Sequence, residues 1–414
     1  MLIKQTKLAC LLLIAGAILP ATTWGQDWPG WRGADRSDRS QETGLLQNWP
    51  EGGPKKVWTN ENAGLGYAGF AVVDGRLFTL GLFDDKEFGL CLDANSGEEL
   101  WRCPLGDRYE NGWGDGPRNT PTVDGDNVYF MAARGDLVCS KVADGSVVWK
   151  QSMTDLGGEI PFWGYAESPL VDGDKVVCTP GGKQGAIAAF DKNSGDVLWQ
   201  TKDLNQIAHY SSLISIPHGD SHQLVQLLMD AVVGINPENG AVLWSVGFPG
   251  KTAVIPTPVD AGNGRVYVTS GYGAGSSLIQ VGDDGAKESW HSRNMSNHHG
   301  GVIYVDGKVY GNWDRQGFAC QELENGEVLW EDDSINKGAV SYAGGMFYFL
   351  EEKSGRVLLI DADADGCKVN GEFTLSPLSE QRNPRGAIWV HPVISNGKLY
   401  LRDQEFISCY DIKE

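Results

Sequence analysis

The polar and apolar positions of this chain fall into a recurring phrase: a polar turn, a short apolar run and a tryptophan. It reads Asp93-Ala-Asn-Ser-Gly97-Glu-Glu-Leu-Trp101, then Asp144-Gly145-Ser-Val-Val-Trp149, Asp191-Lys-Asn-Ser-Gly195-Asp-Val-Leu-Trp199, Asn236-Pro-Glu-Asn-Gly240-Ala-Val-Leu-Trp244 and Glu324-Asn-Gly326-Glu-Val-Leu-Trp330. Asp-Gly and Asn-Gly pairs between apolar runs predict hairpin turns, because glycine accepts positive φ without steric cost. Asp284-Gly285 ahead of Trp290 and Asp365-Gly366 ahead of Phe373 are weaker copies. A second turn precedes each of these, as in Val73-Asp74-Gly75, Val123-Asp124-Gly125, Val171-Asp172-Gly173, Val305-Asp306-Gly307 and Ser395-Asn396-Gly397. Each unit therefore predicts strand, turn, strand, loop, strand, turn, strand. Four antiparallel strands every ~40–50 residues predict a propeller blade.

Seven complete units run from Gly64 to Phe373, and an eighth, Gly386 to Asp411, lacks its fourth strand. The orphan Pro54-Lys-Lys-Val-Trp58 supplies it, which closes the ring and removes the open edges that template aggregation. The expected fold is an all-β, eight-bladed β-propeller over residues 54–414, preceded by an extension, 26–53. An open sandwich would leave the tryptophan period without a cause. Cys91, Cys139, Cys320 and Cys409 share one site in the third strand, where the third blade has Ala189. That register predicts small buried residues facing the next blade; equivalent sites on different blades are too far apart for disulfides.

Composition narrows the setting. Fifty-five glycines and 15 tryptophans in 414 residues fit many short strands and tight turns, and 41% hydrophobic residues are enough for a large core. Lys4 and Lys7 followed by the apolar run Leu8–Ala21 predict a signal peptide over residues 1–25, with cleavage after Gly25. Cys10 precedes most of the apolar run, which argues against lipid attachment. The run is too short to span a bilayer. The mature chain is thus expected to be periplasmic or secreted, without membrane insertion, and monomeric. Its net charge of -20 grows more negative on loss of the two lysines, and no basic cluster offsets it. Such a field repels nucleic acid and anionic membranes.

Ala189-Phe-Asp191-Lys-Asn-Ser194-Gly195-Asp-Val-Leu-Trp199 matches in full the Ala-x-Asp-x-x-Ser/Thr-Gly-x-x-x-Trp docking repeat. With the opening Trp28-Pro-Gly-Trp31-Arg-Gly, it resembles the quinoprotein dehydrogenases and their non-catalytic relatives, the BamB-type assembly factors, over nearly the whole mature length. The resemblance implies that each Trp packs between blades, lying flat on a Gly peptide. The dehydrogenases of that group hold pyrroloquinoline quinone (PQQ) over calcium, stacked between a Trp and often a disulfide of adjacent cysteines. This chain has no Cys-Cys pair, no Cys-x-x-Cys-His for haem, and no carboxylate in the matching loop Pro180–Gln184. Fold resemblance alone does not carry function.

In a propeller the innermost strands all begin at one face, and the loops between second and third strands open there too. Arg118, Trp163, Tyr165, Glu167, Tyr210, Asn297, His298, His299, Trp389 and His391 sit at the first kind of position, and Trp313, Arg402 and Asp403 at the second. Aromatic rings with convergent polar groups are what a ligand pocket requires, although such residues can also simply hydrate the channel. His298 and His299 with His391 offer metal donors, but neighbours on a strand point to opposite faces, so only one of the pair is expected to face the channel. Asp361, Asp363 and Asp365 with Glu372 complete an EF-hand-like calcium spacing, yet the strand Arg356–Ile360 stands where a helix would enter, and a solvated turn is the better reading. Gly271-Tyr-Gly273-Ala-Gly275 is only superficially a phosphate loop, with no helix behind it. The expected function is an exported, non-catalytic propeller, an envelope scaffold or assembly factor binding a protein or small ligand at its channel face without a cofactor. The alternative is a PQQ- and calcium-dependent alcohol dehydrogenase, with Glu167, Asn297 and Asp403 near the quinone. An envelope sensor module is a third possibility, unaccompanied by a kinase or membrane segment.

Overall fold

The structure, a computed structural model, describes residues 27–414 other than Arg315; the expected signal peptide lies outside the described residues. Eight antiparallel sheets follow one another in chain order. Blade 1 runs from Ala71 to Asp107, blade 2 from Thr122 to Ser152, blade 3 from Leu170 to Gln200 and blade 4 from Ile214 to Gly247. Blade 5 runs from Val259 to Ser292, blade 6 from Val302 to Asp332 and blade 7 from Gly338 to Thr374. Blade 8 joins Val393–Asp411 to the early strand Lys55–Asn60, with Trp58 opposite Cys409. The ring therefore shuts by pairing the start of the chain with its end, as the repeat count requires. A single turn of 3-10 helix, Met153–Leu156, is the helical element among the described residues, and none there is long and apolar enough to cross a membrane.

The tryptophans hold the blades to one another. In every blade a bulge interrupts the ladder just before the Trp register, and a bulge re-aims the side chain that follows it. Trp58, Trp101, Trp149 and Trp199 each lie over the turn glycine of the next blade: Gly97, Gly145, Gly195 and Gly240. Their indole N–H groups donate to backbone carbonyls of that same turn, at Ala94, Val142, Lys192 and Pro237. A Cβ on Gly97 would stand 2.5 Å from the Trp58 ring, and its φ of +76° is one that L side chains rarely adopt. Glycine is the residue that meets both conditions. Cys91, Cys139, Cys320 and Cys409 lie opposite Trp101, Trp149, Trp330 and Trp58, and Ala189 opposite Trp199; the cysteines are buried and free.

Blade 7 departs from the expected pattern. The Trp register there belongs to Gly371, opposite Leu359, and Phe373 sits two residues beyond it, resting on Gly53. Trp49 from the segment before blade 8 fills the space over Gly371, its backbone N–H donating to Asn370 at 3.1 Å and its ring meeting Tyr348 and Phe373. A Cβ at position 371 would come within 2.5 Å of the Trp49 Cβ, so the missing side chain is what admits the ring.

Residues 28–40 thread the ring and touch every blade. Trp28 bridges Val72 of blade 1, and the Pro29 carbonyl accepts from Val123 of blade 2. The Arg36 guanidinium donates to Ser168 and Pro169 of blade 3 and, at 2.8 Å, to Leu213 of blade 4. Trp31 donates to Thr257 of blade 5, and Arg32 and Arg39 reach Val302 and Tyr304 of blade 6. Arg39 and Ser40 pair with Tyr342 and Ala343 of blade 7 in parallel, and Asp38 meets His391 of blade 8 at 3.1 Å. The centre of the propeller is thus filled by the chain's own N-terminal segment.

Candidate functional site

Above this segment, at the face where the innermost strands begin, lies a cavity of about 300 Å³. Every blade contributes to its wall. Tyr67 comes from the approach to blade 1, Arg118 to blade 2, Trp163 to blade 3, Tyr210 to blade 4 and Ile255 to blade 5. His298 and His299 precede blade 6, Lys337 precedes blade 7, and Trp389 and His391 precede blade 8. Trp31 of the threading segment supplies the floor, where its ring meets His391 at 4.6 Å. Loops between second and third strands add Tyr272 from blade 5 and Glu352 with Lys353 from blade 7, and Trp113 and Arg385 stand at the rim.

One side of the cavity is a run of touching rings. Tyr272 meets His298 at 4.6 Å, His298 meets His299 at 4.0 Å, His299 stacks on Trp389 at 4.7 Å, and Trp389 meets Tyr67 at 4.9 Å. Trp113, Trp163 and Tyr210 form the facing side, with Trp163 5.7 Å from each of its neighbours. Burial holds both imidazoles neutral: it pulls His298 down to about 3 and, aided by His298 and Lys337, pulls His299 well below the usual histidine range. Lys337 accordingly donates to His298 Nδ1 at 2.5 Å. Burial raises the Glu352 carboxyl against the pull of Lys337 and Lys353, and depresses Arg118 against its neighbouring tyrosines and Glu87.

Of the residues expected at the channel face, Arg118, Trp163, Tyr210, His298, His299, Trp389 and His391 come together around this cavity. The two adjacent histidines both face it, against the expectation that only one would. Residues 295–298 are irregular backbone with a bend following, so the alternation of a strand does not apply. The other expected residues lie elsewhere. Tyr165 is in the core, its hydroxyl on the Pro180 carbonyl at 2.8 Å. Glu167 accepts from Thr179 and Gln226, Asn297 donates to the Gly301 and Asn312 carbonyls, and Trp313 packs against the core between blades 5 and 6. Arg402 is fully buried, donating to Ala63, Gly64, Ala68 and Leu80 across the seam between blades 8 and 1, and Asp403 pairs with Arg382 at 2.8 Å. Asp361, Asp363 and Asp365 lie along the hairpin between the last two strands of blade 7, where Glu372 is paired with Arg356.

Trp31, Tyr67, Trp113, Tyr272, Lys337, Glu352, Lys353 and Arg385 were not expected. The position rule that selects Arg118 and His298 also selects Tyr67 before blade 1 and Lys337 before blade 7, so these two were within its reach. Trp31 carried no such signal, because nothing in the repeat says that the segment before it enters the ring. His391 and Asp38 look like the base and orienter of a hydrolase, but the remaining imidazole nitrogen is held by the His299 carbonyl at 3.0 Å. That pair fastens the threading segment to blade 8.

The family model for outer membrane protein assembly factor BamB matches residues 86–332. The chain belongs to the BamB family. BamB of Burkholderia pseudomallei is 22% identical over 324 residues, 76% of each chain. Tetrathionate hydrolase of Acidithiobacillus ferrooxidans is 24% identical over 262 residues; the match spans 57% of this chain and about half, 48%, of that enzyme. Among solved structures, BamB from Moraxella catarrhalis superposes with a TM-score of 0.62 at 16% identity, over 87% of this chain and 98% of its own. A europium-containing methanol dehydrogenase superposes with a TM-score of 0.65 at 11% identity, over 92% and 90%. At these identities the structural likeness is one of fold. This BamB-family propeller thus shares its architecture with assembly factors and quinoprotein dehydrogenases alike.

Glu167, Asn297 and Asp403, the groups expected near a quinone in the alternative reading, belong to three separate networks outside the cavity wall. Among the described residues no group of three or more His, Cys, Asp or Glu gathers in a way that could hold a metal ion.

Proposed function

We propose that this chain is an exported, non-catalytic propeller of the cell envelope, with a scaffold or assembly role, which receives a small ligand in the axial cavity of its channel face. The observation that carries this reading is the cavity itself: all eight blades and the threading segment build it, and it is closed below by Trp31. Pockets of this size, ring-lined and with few polar groups, are the usual form of a small-molecule site. BamB relatives are named for outer membrane protein assembly, which supports an envelope setting for this chain. The Asp38–His391 pair has no free ring nitrogen with which to serve as a base.

The likeness of fold to a methanol dehydrogenase favours a second reading, oxidation of an alcohol by a bound quinone. One experiment separates the two. The mature protein is incubated with PQQ and calcium, and reduction of an artificial dye is followed across a panel of alcohols, while ligand binding is monitored through quenching of Trp fluorescence. No dye reduction, together with saturable quenching by a small ligand that Trp389→Ala abolishes, is expected. Quinone-dependent dye reduction lost on Glu167→Gln would overturn the proposal.

A further inference from the structure

The cavity's charge is at odds with that of the protein. The chain carries a net charge of -20, yet the cavity is lined by Arg118, Lys337, Lys353 and Arg385 against one acid, Glu352. That acid is already answered: it accepts from the Trp389 indole N–H at 3.2 Å and lies 4.0 Å from Lys337, which also lies 3.6 Å from Asp314. Among the described residues, Arg118, Lys353 and Arg385 have no carboxylate within ion-pair distance. Arg118 donates to the Gly114 and Gly116 carbonyls and lies over the Tyr67 ring at 5.4 Å, Lys353 donates to the Gly386 carbonyl at 2.9 Å, and Arg385 lies over Trp113. Arg118 is half-buried and Lys353 and Arg385 are exposed at the mouth, so the cations lining this cleft draw a positive field to its opening.

The walls say what else the ligand carries. Several polar atoms on them are engaged within the protein: Trp31 Nε1 on Thr257, Trp389 Nε1 on Glu352, the Tyr67 hydroxyl on the Trp113 carbonyl, and the Tyr210 hydroxyl accepting from the Trp163 amide. The ring faces themselves offer no hydrogen bonds, so ligand hydroxyls set against them would lose their partners, which costs affinity. A flat apolar body matches them. The His299 Nδ1 is buried without a hydrogen-bond partner among the described residues, 3.9 Å from Glu352, and can meet a polar atom of the ligand. The volume, at the low end for small-ligand sites, suits one or two fused rings.

Building on the proposed small-ligand reading, we infer that the axial cavity selects a small aromatic carboxylate or sulfonate, its rings between the Trp389 and Trp163 walls and its anionic head on Arg118 and Lys353, with no metal ion between them. The cations replace the water that the head loses, and the rings supply the apolar contact. Neither group does this alone.

The test compares three probes that differ in charge on one body: naphthalene-2-carboxylate, 2-naphthylmethanol and 2-naphthylmethylamine, titrated calorimetrically into the mature protein. The carboxylate is expected to bind about tenfold or more tightly than the alcohol, the ammonium more weakly still, and Lys353→Gln or Arg118→Gln to cost the carboxylate about tenfold and the alcohol little. Lys353 is exposed on its loop, so its variant folds even where a change at Arg118 does not. Equal binding of carboxylate and alcohol, or a Lys353→Gln variant that weakens both alike, overturns the anion selectivity and leaves the small-ligand reading standing. Failure of all three probes to bind at millimolar concentration overturns both.

Discussion

Replacing Arg402 with methionine should loosen the seam at which the ring closes. The guanidinium is fully buried, and burial pulls it down to about 9 while Glu405 and Asp403 act in the other direction. Its Nη1 donates to Ala68, Thr79 Oγ1 and Leu80, at 3.2, 2.8 and 2.8 Å, and its Nη2 to Ala63 and Gly64 at 3.3 and 3.0 Å. All five acceptors belong to blade 1 or the irregular segment leading to it, whereas Arg402 belongs to blade 8. Methionine keeps most of the volume and withdraws every donor, leaving buried carbonyls without partners at about 1–3 kcal/mol each. Water entering the gap recovers part of this, so the expected loss is about 3–5 kcal/mol. An unfolding entropy of about 2 cal/mol/K per residue gives roughly 0.8 kcal/mol/K for a cooperative unit of this length, and hence a fall in Tm of about 4–6 °C. The assay is a thermal scan by Trp fluorescence, with hydrogen exchange read on residues 63–68. The control is Lys86→Met, whose pair with Asp107 is exposed. A drop of less than about 1 °C, no larger than the control's, would refute the role assigned to this side chain.

Three further outcomes follow from the same contacts. Glu87 is buried, with Oε2 on the Ala133 amide and Oε1 unpartnered, and burial pushes its carboxyl up to about 7. A proton held more tightly folded than unfolded gives stability that is full below about pH 4.5 and lost as the pH rises through 7, so Glu87→Gln should gain up to about 3 kcal/mol on wild type at pH 8 and little at pH 4.5; equal differences in Tm at both pH values count against this. Gly97→Ala should cost about 2–4 kcal/mol, since it strains a positive φ and drives Trp58 off its turn, and an unchanged denaturant midpoint would contradict the docking described for that ring. Trp49→Ala should cost about 3–5 kcal/mol by emptying the space over Gly371, detectable as a lower Tm, whereas Phe373→Leu, which keeps that ring seated, should cost less.

Much of the architecture was legible because each blade repeats the same local chemistry. Turn glycines at fixed offsets from a Trp, and four cysteines in one register, depend on neighbours a few residues away or on the identical neighbour one blade on. Blade 7 was misread at this level: with no Trp present, Phe373 was the nearest aromatic residue, and nothing local showed that Gly371 receives a ring from residue 49. For the site, topology named the right face and seven of its lining residues, because the start of each inner strand is set by the repeat. It did not give side-chain direction in irregular loops, so Tyr165, Glu167 and Asn297 turned into the core while His298 and His299 both turned outward.

The sequence by itself determined the number of blades, the closure by Trp58 and the register of the docking residues, since a periodic pattern of turns and apolar runs has one way to bury itself. Only the tertiary structure decided that residues 28–40 fill the channel, that Trp31 floors a cavity, and that unpaired cations gather there within an acidic protein. Those facts rest on single, non-repeating contacts between residues far apart in the chain, such as Arg36 with Leu213, 177 positions on, and Asp38 with His391, 353 positions on. No local pattern encodes such contacts, because their partners are chosen by where the ring happens to bring them.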